Sequence, residues 1–424
     1  MNLEVNQSAL SGVVDIPGSK SHTIRAVAIA ALARGESRIV APLESADARS
    51  AFAAYRALGA EMVEEAEGWR VSGLDGQPAT PDNVIDTGNS GTTMRFALGS
   101  AALLENGLAV LTGDDQVRRR PCGPLADALN ALGASVRSTR GSGTPPFVVA
   151  GPVRGGEASV EAVSSQYLSA LLINLPLAEG DTRLHVPLLN EKPYVHITLD
   201  WLDKQGVCVQ HNDDLSEFHI PGGQWYAPVT RRIPGDFSSA TFFLAAGALE
   251  GNAVLCRGLD MSDTQGDKAV VAYLERMGAE VRILEDGVEV RSRGLEGVEI
   301  DMNATPDALP MMAALACFAR GTTRLVNVPQ ARLKETDRIA VMRAELGKLG
   351  AAVEELPDGL VIHESALRAG DVEGHDDHRV VMALAVVATR ISGTTTIHGA
   401  EAVRITYPGF MDALAALGGM IGVR

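Results

Sequence analysis

One pattern recurs six times along this 424-residue chain and restricts the folds that it can adopt. In each copy an Ala- and Leu-rich helical segment ends at a glycine, and a short strand with alternating apolar residues follows. A glycine after a helix favours the left-handed cap, because it has no Cβ. Successive glycines are 74, 73, 72, 72 and 68 residues apart, at Gly59, Gly133, Gly206, Gly278, Gly350 and Gly418. The sequence therefore predicts six α/β units.

The helices that end at these glycines are predicted over residues 51–58, 124–132, 194–205, 266–277, 339–349 and 407–417. Six units of about 72 residues are too many for one core, so we predict two domains of three units each. Pro and Gly punctuate the chain near residues 17–18 and 232–235, where we expect it to cross between the domains. One domain then comprises residues 1–17 plus 234–424, the other comprises residues 18–233, and we expect the functional site in the cleft between them.

Composition excludes several classes of partner. The chain carries 53 acidic and 37 basic residues, a formal net charge of −16 and a pI near 5.0. Such a chain repels nucleic acid and anionic membranes, so we expect neither as a partner. It has no apolar run of about 18 residues and no cationic leader followed by an apolar stretch, which predicts a cytoplasmic location. The four cysteines are too far apart for a zinc ligand pair and too few for a disulfide framework, so we expect free thiols.

Seven polar clusters each occur once, in contrast to the repeating core pattern. Most of them join Gly, Ser or Thr to a cation. Small residues let backbone N–H groups approach an anion, and Arg and Lys supply charge and hydrogen-bond donors. In an acidic chain such clusters predict a site for more than one small anion. The clusters are residues 18–21 with Arg25, 88–95, 118–121, 164–166, 234–239, 334–338 with Arg332, and 377–379.

The run Lys334-Glu335-Thr336-Asp337-Arg338 is the most informative of these clusters. If the run is helical, Lys334 and Arg338 are neighbours one turn apart, and like charges at this spacing cost about 0.2–0.5 kcal/mol. This arrangement predicts an anion between the two cations. The alternative is a solvated helix face with an ordinary Glu335–Arg338 ion pair.

Three other kinds of protein or site fit single features of the sequence. A repeat suggests a non-catalytic binding scaffold, but a scaffold would repeat its functional residues as well as its core. Gly18-Ser19-Lys20-Ser21 follows a strand-like segment as in a P-loop kinase, but a P-loop has Gly directly before Lys. Residues 375–378 contain two His and two Asp and could bind a metal, but a single four-residue cluster is more typical of a polar loop.

The clusters belong to a longer series of segments: 17–21, Arg25, 88–95, 120–121, 164–168, 192–194, 234–240, Asp307, 334–338 and 377–379. In order and spacing this series resembles the 5-enolpyruvylshikimate-3-phosphate (EPSP) synthase family, the 3-phosphoshikimate 1-carboxyvinyltransferases, from end to end. The resemblance implies a two-domain α/β fold, an inverse α/β barrel with three repeats per domain. It also implies transfer of the enolpyruvyl group of phosphoenolpyruvate to the 5-hydroxyl of shikimate 3-phosphate in aromatic amino acid biosynthesis. Phosphate is released, no metal or organic cofactor is needed, and we expect a monomer whose domains close over these small anions.

The resemblance assigns site residues position by position. Shikimate 3-phosphate is expected on Lys20, Ser21, Arg25, Ser164, Ser165, Gln166, Tyr194, Asp307 and Lys334. Phosphoenolpyruvate is expected on Lys20, Asn89, Gly91, Arg120, Gln166, Glu335, Arg338 and Arg379. The resemblance implies Asp307 as the base at the hydroxyl, Glu335 as the proton donor to and acceptor from carbon, and Lys20 as a proton partner. From the residues alone, Asp307 is instead read as a helix-capping residue in a turn.

Among the positions that depart from the common family pattern, two bear directly on substrate binding. Glu191 stands where many members have a Ser that contacts the shikimate phosphate, and its charge would repel that phosphate if it pointed inward. Ile405 stands where many members have a Lys that binds phosphoenolpyruvate, next to Arg404. Because Gly91 leaves room for glyphosate, we expect detectable inhibition by it, but weaker inhibition than in members that have the Lys.

The nearest alternative with the same fold and donor is UDP-N-acetylglucosamine enolpyruvyl transferase. That family typically has Lys-Asn near the N-terminus and lacks the run found here at residues 334–338. Lys20-Ser21 and this run favour the shikimate acceptor.

Overall fold

The computed structural model describes the whole chain, from Met1 to Arg424. The chain divides into two compact units, each with its own hydrophobic core. Unit 1 comprises Met1–Ser19 and Pro234–Arg424, and unit 2 comprises Lys20–Ile233. None of the helices combines the length and the apolar character needed to span a membrane.

Twelve α-helices, α1 to α12, follow one another in the chain. They are Lys20–Leu32, Ala46–Ala57, Gly91–Ala101, Gly123–Ala131, Ser165–Asn174, Lys192–Lys204, Phe237–Ala248, Ala269–Arg276, Leu309–Ala316, Arg338–Lys348, His378–Ala388 and Phe410–Ala416. Twenty-four strands, β1 to β24, complete the fold. They are Asn2–Asn6, Ser11–Asp15, Glu36–Val40, Glu61–Glu65, Gly68–Ser72, Ile85–Asp86, Ala109–Thr112, Ser135–Ser138, Phe147–Ala150, Gly156–Ala162, Thr182–Leu189, Gln210–His211, Glu217–Ile220, Thr230–Arg232, Ala253–Arg257, Glu280–Leu284, Gly287–Arg291, Glu299–Asp301, Thr322–Val326, Ala352–Leu356, Gly359–His363, Asp371–Glu373, Thr394–His398 and Met420–Val423.

The strands form six four-stranded sheets with one common topology. In four of the sheets the first strand in chain order pairs in parallel with the second, the second pairs antiparallel with the fourth, and the fourth pairs antiparallel with the third. The other two sheets have the same pairings, but β14 takes the place of the first strand in one and β1 takes the place of the fourth strand in the other. Unit 1 contains β2-β15-β17-β16, β18-β19-β21-β20 and β22-β23-β1-β24. Unit 2 contains β14-β3-β5-β4, β6-β7-β9-β8 and β10-β11-β13-β12. The N-terminal β1 completes a sheet of C-terminal strands, which explains why unit 1 is discontinuous in sequence.

Each repeat contains two helices with different surroundings. The first is buried on almost all sides, and every residue of α7, α9 and α11 is buried. A helix that is apolar all round belongs in a core; accordingly α7, α9 and α11 pack on one another, as α3 does on α1 and α5. The second helix has an exposed face and ends at one of the six repeat glycines. The φ angles of these glycines, from 70° to 104°, lie in the left-handed region and confirm the predicted caps.

The run at residues 334–338 is not helical throughout. Helix α10 begins only at Arg338, because the Asp337 side chain caps it by accepting a hydrogen bond from the Ala340 N–H at 3.0 Å. Lys334 follows a 3-10 turn over Pro329–Leu333 and lies outside the helix. The expected one-turn spacing of Lys334 and Arg338 is therefore wrong, and the argument for an anion held between them on a helix face no longer applies.

Candidate active site

Every buried helix begins at a polar segment that the sequence singles out. The first residues are Lys20 for α1, Gly91 for α3, Ser165 for α5, Phe237 for α7, Leu309 for α9 and His378 for α11. The first N–H groups of a helix have no partner within the helix, and they carry partial positive charge. Each unit therefore has three buried helix starts that favour negative charge, and carboxylates of the chain already lie at α5, α7 and α11.

Arg338 is the centre of a buried ion-pair cluster in unit 1. With 1 % of its side chain exposed, it contacts Asp377 at 2.8 Å, Asp307 at 2.8 Å and Glu335 at 2.6 Å. Burial by itself lowers the pKa of Arg338, but the three carboxylates outweigh this effect and raise the pKa above its ordinary value. The interpretation of this run as a solvated helix face is wrong, although the Glu335–Arg338 pair that it included is present.

Asp307 joins this guanidinium to two further cations. Its Oδ2 lies 2.8 Å from Arg379 Nη2, and its Oδ1 lies 3.9 Å from Lys334 Nζ. Asp307 lies inside a 3-10 turn over Pro306–Ala308 and is not the N-cap of α9, so the helix-capping interpretation is wrong. We call the whole group the Arg338 cluster: Asp307, Lys334, Glu335, Arg338, Asp377 and Arg379.

A second contact ties α10 to the segment that leads into α11. The Glu345 carboxylate, 2 % exposed, accepts hydrogen bonds from Lys348 Nζ at 2.7 Å and from the Glu373 N–H at 2.9 Å, and lies 2.8 Å from His375 Nε2. Burial by itself raises the pKa of Glu345, but the hydrogen bonds from these partners lower it below its ordinary value. His375 and the next residue, Asp376, have φ angles of 53° and 54°, a left-handed conformation that is strained without glycine. Glu345 therefore stabilises a strained turn directly before Asp377.

Two of the four residues considered as a metal site, His375 and Asp377, contact different partners. His375 contacts Glu345, Asp377 contacts Arg338, and His378 is buried at the first position of α11. No group of three or more His, Cys, Asp or Glu side chains is arranged to hold a metal ion.

In unit 2 the start of α3 lies against two buried arginines. A Cβ at Gly91 would lie 2.4 Å from Arg95 Nη1 and 2.5 Å from Arg120 Nη1, so both guanidinium groups use the space that glycine leaves. Arg95 donates hydrogen bonds to the Gly91 and Pro121 carbonyls, each at 2.8 Å. Because Pro121 follows Arg120, Arg95 fixes the segment that carries Arg120 beside Gly91.

Arg25 is a buried cation that donates its hydrogen bonds to neutral oxygens. It donates hydrogen bonds to the carbonyls of Ser21 at 3.0 Å and Tyr194 at 2.8 Å, and to the hydroxyls of Ser169 at 3.2 Å and Thr198 at 2.8 Å. Burial lowers the pKa of Arg25 to about 9, which still leaves it charged at neutral pH. Arg25 therefore joins α1 to α5 and α6 and positions the backbones of Ser21 and Tyr194.

Lys20, the first residue of α1, pairs with a carboxylate that we did not predict. Its Nζ lies 3.3 Å from Asp47 Oδ2, and both side chains are largely buried. Asp47 lies in the first turn of α2, whose N-cap is Ser45. Asp47 thus orients the ammonium of Lys20.

The start of α5 is occupied by the carboxylate of Glu191. Ser165 donates its hydroxyl proton to Glu191 Oε2 at 2.8 Å and its N–H to the same oxygen at 3.3 Å. Ser164 caps the helix by accepting the Gln166 N–H at 3.4 Å, and Gln166 Oε1 is buried without a hydrogen-bond partner. The Glu191 carboxylate points inward, which is the orientation in which its charge is expected to repel the shikimate phosphate.

Asn89 is placed by the loop that leads to Arg120. Its Nδ2 donates to Asp114 at 2.7 Å and to Gln116 at 2.6 Å, while its Oδ1 is buried without a partner. Of the three consecutive arginines, Arg118 pairs with Asp115 and Arg119 is exposed, so only Arg120 is buried.

Sequence reasoning missed the roles of Asp47, Arg95 and Glu345. Arg95 carried a usable signal, since a residue four positions after Gly91 on a helix can reach the Gly91 carbonyl. Asp47 and Glu345 carried none, because their partners are distant in sequence and no periodic pattern marks them.

The comparisons with known proteins agree over the whole chain. A profile of the family described as EPSP synthase (3-phosphoshikimate 1-carboxyvinyltransferase) matches residues 5–414. Proteins named 3-phosphoshikimate 1-carboxyvinyltransferase from Ruminiclostridium cellulolyticum and Acetivibrio thermocellus are each 52 % identical to it; the alignments cover 99 % of this chain in both cases, and 99 % and 98 % of the relatives. The structure of EPSP synthase from Acinetobacter baumannii matches with a TM-score of 0.83 at 27 % identity over 100 % of both chains. The enolpyruvyl transferase NikO from Streptomyces tendae shares the fold, with a TM-score of 0.78 at 20 % identity over 99 % of this chain and 98 % of that one.

These matches confirm the predicted fold class, a mixed α/β fold of the enolpyruvyl transferase type. The residues matched by the family profile include every predicted site residue, from Lys20 to Arg379. The chain belongs to the EPSP synthase (3-phosphoshikimate 1-carboxyvinyltransferase) family.

Proposed function

We propose that the chain transfers the enolpyruvyl group of phosphoenolpyruvate to the 5-hydroxyl of shikimate 3-phosphate and releases phosphate. The observation that carries this function is the full-length match at 52 % identity to proteins named for the reaction. Family membership also makes the chain an enzyme of the shikimate pathway and removes the non-catalytic scaffold as an alternative.

The reaction needs a base at the acceptor hydroxyl and an acid at the methylene carbon of phosphoenolpyruvate. In the proposed mechanism Asp307 takes the hydroxyl proton of the acceptor. The hydroxyl oxygen attacks C2 of phosphoenolpyruvate, and Glu335 gives a proton to C3. The resulting tetrahedral adduct returns a proton from C3 to Glu335, the bond between C2 and the phosphate oxygen breaks, and phosphate leaves. Lys20 anchors both anions and exchanges a proton with them.

The charge of the Arg338 cluster supports this division of roles. Its three cations and three carboxylates make it formally neutral when all six groups are ionised. An added anion then favours uptake of a proton by one carboxylate, because like charges at short distance repel. Glu335 is 8 % exposed and Asp307 is 15 % exposed, so Glu335 is the less hydrated of the two.

The unit 2 residues support anion binding through helix starts and through Lys20 and Arg120. Arg25 is assigned a positioning role, since its donors already engage the carbonyls of Ser21 and Tyr194. The cleft between the units, domain closure, the monomeric state and the cytoplasmic location stay predictions.

The acceptor is tested by incubating the purified protein with phosphoenolpyruvate and either shikimate 3-phosphate or UDP-N-acetylglucosamine. We expect phosphate release with shikimate 3-phosphate and none with the sugar nucleotide. Release with the sugar nucleotide alone would assign the chain to the alternative reaction.

Gly91→Ala should raise the KM for phosphoenolpyruvate by about tenfold or more, equivalent to about 1.4 kcal/mol. The added methyl group would lie 2.5 Å from Arg120 Nη1, so Arg120 must move from its position beside the helix start. Steady-state kinetics measure the effect, and glyphosate inhibition should weaken in parallel if it uses the same subsite. Gly123→Ala is the matched control, because its Cβ would meet only Gly143 at 3.8 Å or more; an unchanged KM in Gly91→Ala would remove this subsite from the proposal.

The effect of Ile405 on inhibition by glyphosate stays a prediction. Ile405 packs against the core of unit 1, and the neighbouring Arg404 is exposed. Neither observation supplies the missing cation.

Glu345→Gln should lower the free energy of unfolding by about 1.5–3 kcal/mol at pH 7, since hydrogen bonds to a charged, buried carboxylate are lost. Because the pKa of Glu345 is lowered by folding, its contribution is present above its ordinary value of 4.5 and is lost as the pH falls through the folded pKa. In urea unfolding, the difference in free energy of unfolding between Glu345→Gln and the parent protein should therefore be smaller near pH 4 than at pH 7. Glu354→Gln, at an exposed site 3.4 Å from His363, is the control. A deficit of the same size at both pH values would contradict the role of the ionised carboxylate.

A further inference from the structure

We propose that Glu191 acts as an internal anion that occupies the acceptor-phosphate subsite at the start of α5 and thereby sets the affinity for the phosphorylated acceptor. The inference rests on the proposed function, since it takes Ser164, Ser165 and Gln166 as the residues that receive the 3-phosphate.

The position of Glu191 is fixed by the fold. Only 2 % of the residue is exposed, and it directly precedes α6. Its backbone has φ 58° and ψ 39°, and its carbonyl accepts the Tyr194 N–H at 3.0 Å. A left-handed conformation is uncommon for a residue with a side chain, and here it directs the carboxylate toward α5.

The carboxylate and a phosphate need the same donors. Ser165 has one hydroxyl proton and one N–H, and both are directed at Glu191 Oε2. A phosphate at this helix start would accept these two donors, as anions at helix N-termini do. The carboxylate and the phosphate cannot both accept the single hydroxyl proton of Ser165. Two anions close to the same donors also repel each other.

Binding of the acceptor is therefore an exchange. The 3-phosphate takes the donors of Ser165, and the side chain of Glu191 turns away from the helix start. The loss of the charge-assisted hydrogen bonds between Ser165 and Glu191 costs free energy and so lowers the affinity for the phosphate. Shikimate has no phosphate and needs no exchange, so Glu191 weakens the binding of shikimate 3-phosphate selectively.

The test compares two ligands that differ only in the phosphate. Isothermal titration of shikimate 3-phosphate and of shikimate is carried out on the parent protein, Glu191→Ser and Glu191→Gln. We expect Glu191→Ser to lower the Kd of shikimate 3-phosphate about tenfold and Glu191→Gln to lower it less, because a neutral amide still accepts from Ser165 but does not repel phosphate. The Kd of shikimate should stay within about twofold, because shikimate has no phosphate for Glu191 to repel. A tenfold change in Kd corresponds to about 1.4 kcal/mol of binding free energy.

Other outcomes overturn the inference in distinguishable ways. An unchanged or higher Kd for shikimate 3-phosphate in both variants would mean that Glu191 does not oppose the phosphate. An equal gain for shikimate would place the effect outside the phosphate subsite. Glu161→Ser, at an exposed position of β10, controls for the change in net charge. If the parent protein neither binds shikimate 3-phosphate nor releases phosphate with it, the proposed function itself fails.

Discussion

Asp307→Asn and Glu335→Gln should each slow turnover by at least about 10²-fold, the usual scale for a general acid or base. Both carboxylates contact the buried guanidinium of Arg338, and both substitutions keep the size of the side chain. The amides cannot exchange the proton that the acceptor hydroxyl or C3 requires. Steady-state kinetics with both substrates saturating measure kcat, and circular dichroism checks that the fold is retained.

Glu355→Gln is the matched control for this pair. Glu355 pairs with Arg332 at 2.9 Å, close to the same segment but outside the Arg338 cluster. Its kcat should be unchanged. Near-normal turnover in Asp307→Asn or Glu335→Gln would remove that residue from the proposed chemistry.

Arg338→Met should destabilise the protein by about 3–5 kcal/mol and abolish measurable turnover. Methionine keeps much of the volume but leaves the carboxylates of Asp377, Glu335 and Asp307 without the cation that all three contact. Of these, Asp377 is fully buried, so water cannot replace the lost contact. Urea unfolding measures the loss of stability, and phosphate release measures the loss of activity.

Arg332→Met separates this effect from the loss of any arginine in the segment. Arg332 is 25 % exposed and pairs with Asp337 and Glu355, and such partly solvated pairs contribute about 0–1 kcal/mol. If Arg338→Met also destabilised the protein by only about 0–1 kcal/mol, the contacts of Arg338 with its three carboxylates would not stabilise the fold as expected.

The repeating architecture could be read from the sequence because local rules specify it. A glycine with positive φ ends the second helix of each of the six repeats, and a short alternating strand follows it. Both signals lie within a few residues of the element that they mark, and the same signal occurs six times. A single occurrence would have been far weaker.

The contacts of the site could not be read in the same way. Asp307 lies 31 positions before Arg338, and Asp377 lies 39 positions after it, so no local pattern joins them. Local rules even misled at Asp307, where a Pro-Asp turn favours a helix cap and tertiary ion pairs decide instead. The same holds for the helix expected at Lys334, which Asp337 prevents by capping α10 three residues later.

Enolpyruvyl transfer breaks the bond between C2 of phosphoenolpyruvate and the oxygen that joins it to phosphorus, whereas phosphoryl transfer or simple phosphatase action breaks the bond from that oxygen to phosphorus. Phosphoenolpyruvate labelled with oxygen-18 at this bridging position, incubated with shikimate 3-phosphate and the protein, distinguishes the two by mass spectrometry. We expect the label in the released phosphate, together with one equivalent of the enolpyruvyl ether of shikimate 3-phosphate. Label retained in pyruvate or in any other organic product would contradict the proposed reaction.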